Sequence, residues 1–166
     1  MIYSVLQNKP IPITVTKEKI PEYDDIVRYT VHDASEPRIH VGYVELQDTK
    51  NGAKVLFIKN QHPNLYRHFG QIADQIEVEH CLKRNIDKPY IKSVAALDSH
   101  IQHFKRGKRF INEGINVYLD YVCQNLKKGE RVNTRFLGLK KMYMPINLIN
   151  EIKERIKINP LLKGVK

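Results

Sequence analysis

Between residues 25 and 59 the chain alternates apolar and polar side chains with the period of two expected of half-buried strands. Ile26, Arg28, Thr30 and His32 alternate with Val27, Tyr29 and Val31, which predicts a strand over 25–32. Ile39, Val41, Tyr43 and Val44 mark a second strand over 38–47, and an apolar run marks a third over 53–59. A turn at 33–37 and the Asn51-Gly52 dipeptide, which tolerates positive φ, join these three into an antiparallel meander. Upstream, residues 1–6 read as a strand and the Pro-punctuated stretch 9–21 as extended chain.

After residue 69 the period changes. Phe69, Ile72, Ala73 and Ile76 share one helix face, while Val78, Cys81 and Leu82 occupy another. A helix over 70–84 that is apolar on more than one side is expected to be covered on more than one side. Lys83 and Arg84 complement the dipole at its end. Residues 90–97 form a short, mostly apolar strand, and Asp98-Ser99 cap a short helix, 99–106, closed by Gly107. Strand, helix and strand in succession form a crossover, which favours parallel pairing of the strands at 53 and 90. Ile111, Ile115, Tyr118, Leu119, Val122 and Leu126 have helical spacing over 112–128, with Gly129 as the stop. Two short extended runs follow, 131–137 and 140–144, and an amphipathic helix over 147–158. The predicted fold class is α+β: an antiparallel meander, then a β-α-β crossover, in one mixed sheet with helices on both faces.

Composition narrows the class of protein. A chain of 166 residues suits a single domain, since a domain of ~150 residues buries roughly 70% of its unfolded surface. A hydrophobic content of 42%, a charged content of 28% and a mean hydropathy of -0.47 describe a soluble globular protein. No apolar segment approaches the ~20 residues of a membrane span, and the first six residues lack a signal-peptide pattern, so a cytoplasmic location is expected. Cys81 and Cys123 each sit in a helical pattern without CxxC spacing or a His/Cys cluster, and read as small core residues rather than metal ligands. The formal net charge of +10 is uneven: residues 126–166 hold eleven Lys and Arg against three Glu, a net +8. Such a segment attracts nucleic acid, an anionic surface or a polyanionic cofactor, and charge alone does not choose among them.

The candidate site is the stretch from Tyr66 to Ala73, where a loop after the 53–59 strand opens directly into a helix. A helix start leaves several N–H groups unpaired and pointing one way, which suits a phosphate. Gly70 lets the backbone turn and a ligand approach without a Cβ in the way, and Arg67 offers a bidentate cation.

These residues in this order resemble the GNAT superfamily of acyl-CoA-dependent N-acetyltransferases. The likeness runs from about Ile26 to Met144. It rests on Val41-Gly42-Tyr43-Val44-Glu45-Leu46 before a hairpin, the stretch from Tyr66 to Ala73, the strand from Ile91 to Leu97, and the Asp98-led helix that ends near Gly107 and Phe110. Arg67 and Gly70 match the spacing of that family's pyrophosphate loop, whereas Ile72 stands where it has Gly or Ala, with Ala73 one step late. Asp98 stands at a common Asn, and Phe104 at a position that often carries a proton-donating Tyr. The two helices that usually follow the first strand have no counterpart in residues 7–24.

The resemblance implies acetyl transfer from acetyl-CoA to a small-molecule or peptide amine by a monomer or homodimer, without a metal. The cofactor's pantetheine arm would lie along the strand end at Phe57, Ile58 and Lys59, flanked by Asp98 and Phe104, with its pyrophosphate over Arg67, His68, Phe69, Gly70, Gln71, Ile72 and Ala73. Glu45, His100 and His103 are the candidates for proton transfer, a role typically contributing ~10²–10⁴ in rate. Two other readings stay open: a protein of the same fold with a degenerate site, and a basic nucleic-acid-binding protein with Tyr118, Tyr121, Phe136 and Tyr143 among its cations.

Overall fold

The structure is a computed structural model that describes residues 2–166. The amino-terminal strand β1 (Ile2–Ser4) pairs antiparallel with β2 (Lys9–Ile11) and with β7 (Tyr66–Arg67), in a small sheet of order β2-β1-β7. Met1, the first residue of the predicted strand, lies outside the described residues. The other strands form one seven-stranded sheet. It starts with a meander of β3 (Ile13–Lys19), β4 (Ile26–Asp33), β5 (His40–Thr49) and β6 (Gly52–Asn60). The meander has four strands instead of three because Ile13 to Lys19 also alternates and finds the free edge of β4.

From β6 the chain crosses through α1 (Phe69–Lys83) to β8 (Tyr90–Ala95), which pairs parallel with β6 as expected. Next come α2 (His100–Lys105), the edge strand β9 (Arg109–Phe110), α3 (Glu113–Asn125), β10 (Lys140–Tyr143) and α4 (Ile146–Ile158). Strand β10 inserts between β8 and β9, completing the order β3-β4-β5-β6-β8-β10-β9. Residues 131–137 do not join the sheet. They form a loop with one 3-10 turn, Arg135–Leu137, pinned by buried Thr134 against His100.

The mixed sheet follows from the pattern; the expected helices on both faces do not. Val27, Tyr29, Val31, Val44, Leu46, Ala53 and Ile91 all point to one face and build the main core with α1 and α4. Ala95, Met142 and Phe110 continue that same face and build a second cluster with α2 and α3. The other face carries Arg28, Thr30, Tyr43, Glu45, Lys54, Phe57, Lys92 and Lys141 and, among the described residues, has no helix on it. Helix α1 is covered all round, by the sheet, by α4 and by the carboxy-terminal tail. Its polar side chains answer the tail's backbone: the Glu79 carboxylate accepts from the Leu161 and Leu162 N–H groups, and Lys83 Nζ donates to the Leu162 and Val165 carbonyls.

Two glycines act differently from their predicted roles. Gly52 does not have a positive φ; it is needed because the Tyr90 backbone lies where its Cβ would be. Gly70 does not have one either, and the left-handed turn before α1 is made by His68, at φ 68°.

Candidate functional site

The parallel pair is short. Strands β6 and β8 are in register only at Gly52/Tyr90, Ala53/Ile91 and Lys54/Lys92, although β6 runs on to Asn60 and β8 to Ala95. The cause lies on the other side of β6, where the register with β5 shifts between Glu45/Phe57 and Leu46/Val55 and leaves Leu56 as an extra residue. A bulge bends and twists its strand, so β6 leaves β8 just past Lys54. Backbone groups along the parted edges then lack strand partners, and buried N–H and C=O groups need some partner.

The gap is a cleft of about 960 Å³. Its walls come from β6 (Val55, Leu56, Phe57, Ile58), the start of α1 (His68 to Gln71), the end of β8 (Ser93, Val94), and the loop and helix that follow (Ala96 to Ser99, Gln102, His103, Lys105, Arg106). Two of the four non-glycine residues with positive φ, His68 and Leu97, line it. Leucine in particular does not favour that conformation, and backbone strain of this kind collects at functional sites.

One end of the cleft has the features that suit an anion. Helix α1 has no side-chain cap and no acidic residue in its first turn, so its amino-terminal N–H groups and the positive end of its dipole are not neutralised locally. Against them lies Arg106. Its guanidinium sits 2.7 Å from where a Gly70 Cβ would be, so glycine is required there to admit that side chain. The guanidinium is fixed: Nε donates to Asp74 Oδ2 at 2.9 Å and Nη2 to His103 Nδ1 at 2.9 Å.

Behind Arg106 is a buried charge cluster. Lys108, fully buried, lies 3.2 Å from Asp74 Oδ1 and 3.5 Å from Glu77 Oε1. Burial opposes ionisation of both carboxyls, but Lys108 and Arg106 together hold Asp74 below the ordinary carboxylate range. Glu77 has only the more distant ammonium and one oxygen without a partner, and desolvation pushes it up to about 7. Two carboxyls around one ammonium therefore carry one negative charge at moderately acidic pH.

The predicted site residues divide. Phe57, Ile58, His68, Phe69, Gly70, Gln71 and Asp98 line the cleft. Ile72 and Ala73 are core residues, so the branched side chain at 72 points away from the cleft and does not narrow it. Lys59 lies beyond the lining, and Phe104 is buried under the Arg109 guanidinium, 4.1 Å from its ring centroid. Arg67 is held in β7 against Tyr3 and exposed outside the cleft, because its strand pairing turns it away from the helix start. The cation at that start is Arg106, which the periodicity gave no reason to single out.

The proton-transfer candidates also separate. His100 is buried with both ring nitrogens engaged: Thr134 Oγ1 is 2.9 Å from Nδ1, and Nε2 donates to the Gly138 carbonyl at 2.8 Å. His100 is therefore a clamp for the 134–138 loop and not a proton-transfer group. His103 lines the cleft, but burial and the neighbouring Lys108 and Arg106 charges drop it to about 3, so it stays neutral and is no imidazolium acid near pH 7. Glu45 stands on the bare face opposite Phe57, its carboxylate paired with Arg28. The expected side-chain cap on α2 is absent, because the Ser99 hydroxyl donates back to the Ala96 carbonyl at 2.7 Å.

Comparison with solved structures decides the fold. An acetyltransferase from Bacillus subtilis, in complex with CoA, superposes with a TM-score of 0.51 at 15% identity, over 81% of this chain and 98% of that one. The chain has the GNAT fold. Weaker likenesses are to a GNAT-family acetyltransferase from Staphylococcus aureus (TM-score 0.44, 15% identity, 73% of this chain and 68% of that one) and a Vibrio cholerae spermidine N-acetyltransferase in complex with CoA and spermine (TM-score 0.40, 18% identity, 76% and 69%). No protein-family model matches the sequence, and no curated protein does. Residues 7–24, where the resemblance implied no counterpart to two helices, hold β2 and β3. No helix among the described residues is long and apolar enough to cross a membrane, and no group of three or more His, Cys, Asp or Glu among them could hold a metal ion.

Proposed function

We propose that the chain is an acyl-CoA-dependent N-acetyltransferase, moving an acetyl group from acetyl-CoA to a primary amine. The observation that carries this reading is the parallel pair that parts after three positions beside an uncapped helix start. The residues present fit the group. The first N–H groups of α1 and the fixed Arg106 guanidinium suit the pyrophosphate, and Lys105 adds a second cation at that end. The unpaired edge of β6 past Lys54 can take an amide-bearing arm in the manner of an added strand.

When bound, acetyl-CoA supplies a thioester carbonyl carbon open to attack and a thiolate leaving group. The chain's own contribution is to orient and to take a proton. Glu45 is the carboxylate nearest in register to Phe57 at the cleft and is the residue we assign to deprotonating the incoming amine, directly or through water. Arg28 holds it in place, with Nε donating to Oε1 at 2.8 Å. Phe104 has no proton to give and is buried, so nothing replaces a tyrosine acid at that position.

The nucleic-acid reading gains no support. Lys153 and Lys157 already face Asp87 and Glu154, and Tyr118 packs edge-on against Phe136. The test is transfer of label from acetyl-labelled acetyl-CoA to a panel of amines. A labelled amide is expected, with the rate falling ~10²-fold in Glu45→Gln; no label on any amine would overturn the reading.

A further inference from the structure

The bare face of the sheet around the cleft is unusual in its charges. In register, Lys54 on β6 lies beside Lys92 on β8, and Lys141 on β10 lies one pleat further along, opposite Val94. Like charges directly opposite each other in a sheet are destabilising. All three are exposed, and none of them pairs with a carboxylate among the described residues. The carboxylate on this face nearest in register to the cleft is Glu45, which Arg28 already neutralises.

The same surface is apolar between its cations. Phe57, Val94, Leu97 and Leu139 all line the cleft and are all large exposed apolar residues, Phe57 at 61% and Leu139 at 74%. Tyr90 and Tyr143 stack beside Lys92, with ring centroids 6.4 Å apart and planes at 19°. The anion end of the cleft, at α1 and Arg106, lies on the helix side of the sheet, and the cleft opens between the parted strands toward Phe57 and Val94 on the other. A second substrate meeting the acetyl group from that side meets aromatic rings and three unpaired ammonium groups.

We infer that the acceptor is an amine with an aromatic or similarly bulky apolar body that also carries a carboxylate, and that polycationic amines are rejected. The inference rests on the acetyltransferase reading above. The apolar body would cover Phe57 and Val94, and the carboxylate would relieve the repulsion between Lys54 and Lys92. A polyamine would bring further positive charge to a surface where three unpaired ammonium groups stand against a single carboxylate in the cleft lining, Asp98, which is a charge-based rejection rather than a weaker fit.

The test uses the full chain with acetyl-CoA and three probes: phenylalanine, phenethylamine and spermidine. Thiol release is followed at varied amine, and rates are expressed per unprotonated amine. Phenylalanine should exceed phenethylamine in kcat/KM by about tenfold, the size expected of two or three exposed charge contacts, and spermidine should be poorest. In Lys54→Gln/Lys92→Gln the phenylalanine-to-phenethylamine ratio should fall toward one through KM for phenylalanine, while the affinity for acetyl-CoA, measured separately by thermal stabilisation, stays as in the parent. Equal use of the three probes, equal silence toward them with acetyl-CoA still bound, or a ratio untouched by the lysine changes would overturn the acceptor class. Loss of acetyl-CoA binding in the parent protein would instead overturn the reading beneath it.

Discussion

On the helix side of the seven-stranded sheet, charge is admitted only where something answers it: Lys108 stands between Asp74 and Glu77, and the Glu79 carboxylate takes two backbone N–H groups from the tail. On the opposite side Lys54, Lys92 and Lys141 stand unpaired, two of them directly across a strand pair. Burial explains the contrast. An unanswered charge in the interior costs several kcal/mol, whereas on a wet surface it costs a fraction of one. Pairing inside therefore reports on folding, while an unpaired cluster outside is free to report on binding.

The largest expected effect breaks the inner side. Lys108→Ala leaves Asp74 and Glu77 buried without their ammonium and should destabilise the fold by about 3–5 kcal/mol, read from the denaturant midpoint. A loss below about 1 kcal/mol would mean the cluster is wetter than the structure shows. Glu77→Gln sharpens the same point through pH. A carboxyl with its folded pKa at about 7, raised from 4.5, binds its proton more tightly in the folded chain. Its presence therefore makes stability fall as pH rises from about 4.5 to about 7 and stay level above. The fall should be absent in Glu77→Gln, and parallel pH curves for the two proteins would contradict the assignment. Gly70→Ala works at the junction between the sides. The new Cβ displaces the Arg106 guanidinium and should weaken acetyl-CoA binding about tenfold, the scale of one charge-assisted hydrogen bond, with the fold intact. Lys92→Gln is the smallest. By removing a like-charge neighbour of Lys54 it should shift stability by no more than about 0.5 kcal/mol, toward stabilisation, in the same denaturant measurement.

Much of the fold was legible because period and length agree in the sequence. Alternation from Ile26 to Lys59, helical spacing from Phe69 to Leu82 and the crossover order predict the mixed sheet and its parallel pair. What could not be read is what depends on neighbours distant in the chain. The extra residue at Leu56 is an ordinary apolar residue in a strand, and only its pairing with β5 shows it as a bulge. Arg106 lies in a lysine- and arginine-rich run that gives no hint of contact with Gly70, whereas Arg67, favoured by spacing, is turned away by pairing with β1. His103 looked suited to proton transfer by type; the cations around it make it the wrong form at neutral pH. The single covered face was hidden for a similar reason. Helix α1 is apolar on more than one side, and the sequence does not say that its second side meets α4 and the tail instead of another sheet layer.

Thermal unfolding of the full chain against increasing acetyl-CoA tests the central claim most directly. If the parted strands and the bare helix start form a cofactor site, the midpoint rises saturably, by the equivalent of about 2.7 kcal/mol at a hundredfold excess over Kd. An unfolding midpoint that does not move at millimolar acetyl-CoA would contradict it.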